Sequence, residues 1–125
     1  MSDRVVHFEI PFDDAERART FYRDVFGWQL MQMPDGDYTM AMTGPGESGP
    51  SEPGFINGGL FGRTDEFKAP NVVIDVANLE DALKRATDAG GTIVRERQPV
   101  GEMGFTAYFR DTEGNVVGLW ETVPR

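Results

Sequence analysis

The sequence repeats its own order of structural signals with an offset of 64 residues, without a gap. A polar strand residue, a helix-capping residue and a helix-ending glycine coincide in the two halves. A single βαβββ unit buries too little apolar surface alone and needs a second copy or a partner. The repeat therefore predicts an α+β fold of two βαβββ modules, residues 4–62 and 69–123, with curled mixed sheets around a cavity. The aligned pairs are His7 with Asn71, Asp14 with Asn78, Glu16 with Glu80, Ala18 with Ala82, and Gly27 with Gly91.

The opening strand, at residues 5 to 10, has one apolar and one polar face. Phe8 and Ile10 alternate onto one face, which we expect to meet the core. His7 and Glu9 fall on the other face. This alternation predicts that His7 and Glu9 point toward the cavity.

Capping residues, apolar periodicity and turn signals predict the remaining elements. Prolines and glycines prevent residues 44–54 from propagating a helix or strand, so we expect a mobile loop there and consider it as a lid. Gly58 and Gly59, inside the next predicted strand, indicate a close approach of backbone or ligand. The predicted elements are a helix from Asp13 or Asp14 to Gly27, a hairpin of residues 28–33 and 37–42, a strand at 55–61, a strand from Asn71, a helix from Asn78 to Gly90, and strands at 92–96, 105–110 and 115–121.

Composition narrows the possible partners and chemistry. The 125 residues show no compositional break, so we expect one domain. A formal charge of -9 disfavours nucleic acids and anionic membrane surfaces as partners. The absence of cysteine excludes disulfides, thiolate metal ligands and cysteine nucleophiles. We find no secretory leader and no stretch able to span a bilayer, so the expected location is cytoplasmic.

Four segments together resemble a known superfamily over nearly the whole chain. They are the run at 7–11, the first helix end at 18–28, the second helix end at 83–91 and the closing run at 109–121. The chain resembles the vicinal oxygen chelate superfamily of glyoxalases, bleomycin-resistance proteins and dioxygenases. This resemblance implies paired βαβββ modules, a homodimer and a small-molecule site inside the sheets.

The resemblance also implies where a metal would bind. Metal-using members take His and Glu ligands from the first and last strands of each half. His7 matches one such position, but Asn71 is a poor ligand beside imidazole or carboxylate. The other two positions fall on Gly58 or Gly59 and on Gly118, which have no donor side chain. With three of four ligand positions unmatched, the sequence predicts no metal cofactor, although oxygen-only or inter-subunit sites remain open.

The candidate site residues fall into two groups. His7 and Glu9 are the catalytic candidates, since a lone histidine could act as a general base or anchor a ligand. His7 could equally be a remnant of a metal-binding ancestor. The ligand-binding candidates, any of which could instead be core or structural residues, are Tyr38, Met40, Phe55, Asn57, Asn71, Phe105 and Trp120.

Four functions remain open from the sequence. The first is a glyoxalase-like protein that binds a small organic molecule without metal, for sequestration or resistance. The second is a lyase or isomerase, related to lactoylglutathione lyase, in which His7 moves a proton next to a carbonyl with help from Glu9 or Asn71. The third is a metal-dependent lyase or dioxygenase, and the fourth is an interaction module with a closed cavity.

Overall fold

The computed structural model describes residues 3–34, 38–44 and 54–123. Within them lie two helices and eight strands. Most of the proposed lid and the turn of the first hairpin lie outside the described residues. The elements are β1 Arg4–Phe12, α1 Ala15–Phe26, β2 Gln29–Gln32, β3 Thr39–Met42, β4 Gly58–Gly62, β5 Asn71–Asp75, α2 Leu79–Asp88, β6 Thr92–Val100, β7 Gly104–Arg110 and β8 Val116–Thr122.

The chain divides into two compact units with the same topology. The first unit is Val6–Pro70, and the second contains the chain from Asn71 onward together with the start of β1. The first unit orders its strands β2-β3-β4-β1, with β1 parallel to β4. The second orders them β6-β7-β8-β5, with β5 parallel to β8. The predicted α+β class with two βαβββ modules is therefore confirmed.

Helix α1 begins and ends as the sequence predicts. Asp14 is the N-cap, and its side chain accepts a hydrogen bond from the Arg17 backbone N–H at 3.0 Å. Gly27 ends the helix with φ 76°, a left-handed conformation that glycine adopts without a steric penalty. Tyr22 stacks on Trp28 with ring centroids 4.9 Å apart, and Trp28 contacts Phe8 at 5.7 Å. These rings place α1 against the Phe8 face of β1.

Part of the apolar surface of α1 remains uncovered within the chain. Phe21, Val25 and Phe26 are 53%, 55% and 61% exposed. None of the helix residues is fully buried. The first helix therefore contributes less to a closed core than its apolar periodicity predicts.

Helix α2 covers the main apolar cluster of the second unit. Its Leu79, Ala82 and Leu83 are buried against strands β6 to β8. The predicted Asn78 cap is confirmed, since its side chain accepts a hydrogen bond from the Asp81 backbone N–H at 2.9 Å. The helix ends next to Gly90, as the sequence predicts, with Ala89 as its C-cap.

Two strand boundaries differ from the predicted ones by three or more residues. Strand β6 runs on from the expected end at residue 96 to Val100 because β7 pairs with it as far as Gly104. It accommodates Pro99 because it is the last strand of its sheet, where a missing donor is tolerated. Strand β4 begins at Gly58 rather than at residue 55. No helix in the described ranges is long and apolar enough to cross a membrane.

Candidate functional site

Three predicted site residues form one hydrogen-bonded cluster in the first unit. The Nε2 atom of His7 lies 2.7 Å from the Tyr38 hydroxyl oxygen. The Tyr38 hydroxyl donates a hydrogen bond to Oε2 of Glu9 at 3.1 Å. The phenol therefore links the two catalytic candidates, and we call these three residues the tyrosine cluster.

The strand register explains why the three side chains meet. Glu9 on β1 pairs with Gly59 on β4, and Gly59 pairs with Met40 on β3. Tyr38 lies two residues before Met40 and shares its face. A Cβ atom at position 59 would overlap the Tyr38 hydroxyl, and all of its three nearest atoms would belong to that side chain. Gly59 thus provides the space that the phenol occupies.

The tyrosine cluster lies on the face of this sheet opposite α1. Phe8 packs on Trp28 under the helix, so the alternating His7 and Glu9 point the other way. The predicted division of β1 into an apolar and a polar face is confirmed. Glu9 is nevertheless only 7% exposed. A buried carboxylate needs hydrogen-bond donors, and Tyr38 supplies one.

The environment of His7 favours a neutral imidazole. Burial lowers the pKa of His7 from its ordinary value, because desolvation disfavours the charged ring, and the negative charge of Glu9 partly opposes this shift. Its Nε2 contacts Tyr38, while its Nδ1 has no hydrogen-bond partner within the described residues. A neutral imidazole has one nitrogen that donates and one that accepts. His7 can therefore keep a proton on one side and offer a lone pair on the other.

The second unit repeats the glycine but changes its surroundings. Val73 on β5 pairs with Gly118 on β8, which pairs with Tyr108 on β7. With the offset of 64 residues, Val73 corresponds to Glu9, so Gly118 corresponds to Gly59. A Cβ atom at position 118 would lie 2.9 Å from the Tyr108 ring. A tyrosine ring thus crowds the missing side chain in both units.

Comparisons with known proteins identify the family. The bleomycin resistance protein-like N-terminal family matches residues 4–44. A glyoxylase-like domain-containing protein of Didymella fabae is 30% identical over 114 residues, covering 86% of this chain and 84% of that protein. The chain belongs to the vicinal oxygen chelate superfamily.

Two further proteins are similar to this chain over nearly its full length. A probable lactoylglutathione lyase of Synechocystis is 28% identical over 127 residues, covering 94% of this chain and 95% of the relative. A variant of methylmalonyl-CoA epimerase from Streptomyces coelicolor, solved with 2-nitronate-propionyl-CoA, matches with a TM-score of 0.67 at 16% identity. This match covers 98% of the present chain and 99% of the epimerase, and it shows a common fold.

Glycine and asparagine occupy three of the four positions where the resemblance would place metal ligands. The two glycines offer no donor atom, and tyrosine rings crowd the space where a ligand side chain would begin. The first-strand position of the second half is Asn71, whose amide is a poor ligand for a transition metal. No group of three His, Asp or Glu side chains able to hold a metal occurs in the described part of the chain.

The Asn71 side chain is buried without hydrogen-bond partners among the described residues. Its side chain is 7% exposed, and neither Oδ1 nor Nδ2 has a hydrogen-bond partner in the described ranges. Buried polar atoms without partners are rare in folded proteins. Its role as a ligand-binding residue stays a prediction.

Two other predicted ligand residues, Asn57 and Phe55, follow residues 45–53, which lie outside the described part of the chain. Asn57 is buried, and its amide oxygen accepts a hydrogen bond from the Thr43 backbone N–H at 2.8 Å. Its amide nitrogen has no partner among the described residues. Phe55 is half-buried and contacts Gly44, where a Cβ atom would lie 2.5 Å from the ring. Both residues hold the segments on either side of the loop together.

The predicted aromatic residues of the second unit lie on different faces. Trp120 shares the Gly118 face, and its Nε1–H donates to the Thr122 hydroxyl at 2.9 Å. Phe105 instead packs against the cluster under α2, and the Arg97 guanidinium lies 3.5 Å from its ring centre. Glu121, which alternates with Trp120 along β8, lies on the α2 side and accepts a hydrogen bond from the Leu79 backbone N–H at 2.8 Å. The structure therefore separates Phe105 from Trp120.

Sequence reasoning missed two features of this superfamily member. It listed Tyr38 only among the ligand-binding candidates, whereas the Tyr38 hydroxyl joins His7 to Glu9. It did not single out Tyr108 at all. The Gly58–Gly59 pair within a strand was the available signal, because strand glycines mark close approaches.

Proposed function

We propose that this protein binds a small organic molecule at the tyrosine cluster, His7, Glu9 and Tyr38, and that it does so without a metal ion. The observation that carries this proposal is the position of the Tyr38 hydroxyl over Gly59. A metal site built on His7 would need a second ligand from this part of β4. The phenol occupies that space and engages His7 Nε2 at 2.7 Å.

The side chains of the cluster favour a particular kind of ligand. His7 Nδ1 and the Glu9 carboxylate accept hydrogen bonds, so the ligand must bring a donor. Met40 and Met31 pair across β3 and β2 in the same cross-strand row as Glu9 and Gly59. Methionine provides an adaptable apolar surface with favourable contacts to aromatic rings. We therefore expect a largely apolar, ring-containing molecule with a hydroxyl or amine donor.

The absence of a metal requirement is tested on the protein purified without chelator. We expect substoichiometric metal and no rise in melting temperature with added zinc, nickel or manganese, because a ligand that binds only the folded state must raise its stability. The His7→Gln variant is the matched control. About one metal per chain, or a rise that His7→Gln abolishes, would overturn the metal-free proposal.

Ligand binding is tested with two probes that share the same methyl-substituted aromatic ring. 4-Methylphenol carries a hydroxyl donor, whereas 4-methylanisole has the same ring with a methyl group in place of the hydroxyl hydrogen. We expect the phenol, at millimolar concentration, to shift the backbone amide NMR signals of His7, Glu9 and Tyr38 and the ether to shift them much less. His7→Ala should weaken the phenol response. Equal responses to both probes, or none near these residues, would contradict this binding site.

A second candidate function is proton transfer by His7, and the unpartnered Nδ1 favours it. A lowered pKa keeps the imidazole neutral and able to act as a base. In this step Nδ1 takes a proton from a carbon next to a carbonyl. The C–H electron pair forms the C=C bond of an enolate, and the carbonyl π pair moves onto oxygen. If the carbon that loses the proton bears a hydroxyl group, the proton returns to the former carbonyl carbon and the hydroxyl proton moves to the enolate oxygen. The carbon that bore the hydroxyl becomes the new carbonyl, which completes an isomerisation.

Proton transfer is tested by hydrogen exchange in heavy water. With hydroxyacetone as the probe, we expect the wild-type protein to accelerate loss of the C–H NMR signals beyond the buffer rate. The His7→Ala variant should return this rate to that of buffer. Exchange that persists in His7→Ala, or wild-type exchange no faster than buffer, would reject this second function and leave binding alone.

A further inference from the structure

We propose that Glu9, acting through the Tyr38 hydroxyl, holds His7 as the Nε2–H tautomer and leaves Nδ1 as the hydrogen-bond acceptor of the site. This inference deepens the proposed function, because it assigns the atom that a ligand would meet. In it, Tyr38 and Glu9 are positioning residues for His7. The three side chains come from β1 and from the residue before β3, and these two strands lie on either side of β4.

The single hydrogen of the Tyr38 hydroxyl determines the tautomer of His7. A tyrosine hydroxyl has one hydrogen but makes two close polar contacts here, to His7 at 2.7 Å and to Glu9 at 3.1 Å. A carboxylate can only accept, so the Tyr38 hydrogen points to Glu9. The contact to His7 then needs a hydrogen on Nε2. Since a neutral imidazole carries a single ring N–H, Nδ1 is left with its lone pair.

The reverse arrangement is less favourable. If Tyr38 donated to His7 Nε2, the phenol oxygen would face the Glu9 carboxylate with no hydrogen between them. Glu9 is 7% exposed, so water could do little to compensate for that contact. Two acceptor oxygens in contact at a buried position, with no hydrogen between them, are destabilising. The burial of Glu9 therefore favours the arrangement in which His7 Nε2–H donates to Tyr38 and the Tyr38 hydroxyl donates to Glu9.

The tautomer of His7 determines which hydrogen-bonding groups of a ligand this side chain can contact. With the hydrogen fixed on Nε2, the Nδ1 atom accepts hydrogen bonds and does not donate them. The site then selects hydroxyl or amine donors over carbonyl or ether acceptors. The same lone pair is the one that would take a proton in the second candidate function.

The tautomer can be read directly, because this chain contains a single histidine. In protein labelled with ¹⁵N-histidine, the two ring nitrogens and their couplings to the ring hydrogens distinguish the nitrogen that carries hydrogen from the one that carries the lone pair. At a pH where His7 is neutral, we expect Nε2 to carry the hydrogen and Nδ1 the lone pair. The opposite assignment, or a mixture of both tautomers, would overturn the inference.

A variant tests whether Glu9 gives the cluster its direction. Glu9→Gln keeps the size of the side chain, but its amide can donate to the Tyr38 oxygen and free the hydroxyl hydrogen for His7. We expect the Nδ1–H tautomer to become populated in Glu9→Gln. The matched control is Glu102→Gln, which removes the same charge at an exposed position. An unchanged tautomer in a folded Glu9→Gln protein would show that Glu9 has no such role.

The binding probe separates this inference from the proposed function. Glu9→Gln should weaken 4-methylphenol binding by about fivefold, the scale of one hydrogen bond, while Glu102→Gln leaves it unchanged. If the wild-type protein shows the expected tautomer but no phenol response, the binding proposal fails and the tautomer assignment stands. If phenol binds a protein whose His7 carries hydrogen on Nδ1, the tautomer assignment fails and binding stands.

Discussion

Replacing Gly59 with alanine should disconnect the tyrosine cluster. The added Cβ would overlap the Tyr38 hydroxyl and ring, and its three nearest atoms would all belong to that side chain. The backbone would not need to move, because the phenol is the far end of a side chain. We therefore expect Gly59→Ala to displace Tyr38 from both His7 and Glu9.

The cost follows from the two hydrogen bonds that would be lost. A neutral hydrogen bond contributes about 1 kcal/mol and one to a charged group about 1.5–3 kcal/mol, so the unfolding free energy should fall by about 2–4 kcal/mol. For a chain of this size, that loss corresponds to a melting temperature lower by about 10 °C. Alanine has a smaller ordering cost than glycine in a strand, which offsets only about 0.5–1 kcal/mol.

A double-mutant cycle with Tyr38→Ala isolates the contact. In the Tyr38→Ala background the space beside position 59 is vacant, so Gly59→Ala should be neutral or slightly stabilising. Urea unfolding of the four proteins gives the interaction energy, which we expect at about 2–4 kcal/mol, well above the roughly 0.5 kcal/mol typical of independent sites. Far-UV circular dichroism checks that every variant remains folded.

The result that would refute this reasoning is additivity. If Gly59→Ala costs the same with and without the Tyr38 ring, the glycine serves the backbone of β4 and does not make space for the phenol. A neutral Gly59→Ala in the wild-type background would mean that the two hydrogen bonds contribute nothing to stability. Either outcome would remove the observation on which the metal-free binding site rests.

Three further predictions concern pH and helix capping. Since the pKa of His7 is lowered in the folded state, its stabilising contribution is present above the ordinary value of 6.5 and is lost as pH falls through the folded-state pKa. Melting between pH 5 and 8 should therefore show a larger loss toward acid for the wild type than for His7→Gln, and parallel curves would contradict it. Glu121→Gln should reduce the unfolding free energy by about 0.5–2 kcal/mol in urea, because its carboxylate accepts the Leu79 backbone N–H at the start of α2. Asn78→Ala should cost about 1 kcal/mol in the same assay by removing the N-cap, whereas Asn78→Asp, which retains a capping oxygen, should cost much less.

The sequence predicted most of the fold because its signals are local. Asp14 and Asn78 cap the two helices where an acidic or amide side chain precedes an apolar period. Gly27 takes the left-handed conformation that ends α1. The end of β6 could not be read in this way, because pairing with β7 continues the strand through Pro99.

The candidate site depends on contacts between residues that are far apart in the sequence. Alternation placed His7 and Glu9 on one face of β1, as the structure confirms. The glycine at position 59 indicated a close approach but not which side chain approaches it. That choice depends on the β3–β4 register, which brings Tyr38 beside Gly59. Phe105 was placed with the ligand residues because an aromatic residue is typical of both cores and binding sites.

The two halves show which features the duplicated fold requires and which belong to a site. Both keep a capping side chain before the helix, so this feature serves the βαβββ unit itself, and both place a glycine of the last strand beside a tyrosine ring. The polar residue at the start differs, since His7 in the first half corresponds to Asn71 in the second. Histidine is the side chain whose unperturbed pKa places its charge change near neutral pH, and the single histidine of this chain lies in the first half. The proton transfer that we propose therefore belongs to the first module, whereas the Asn71 amide can contribute hydrogen bonds alone.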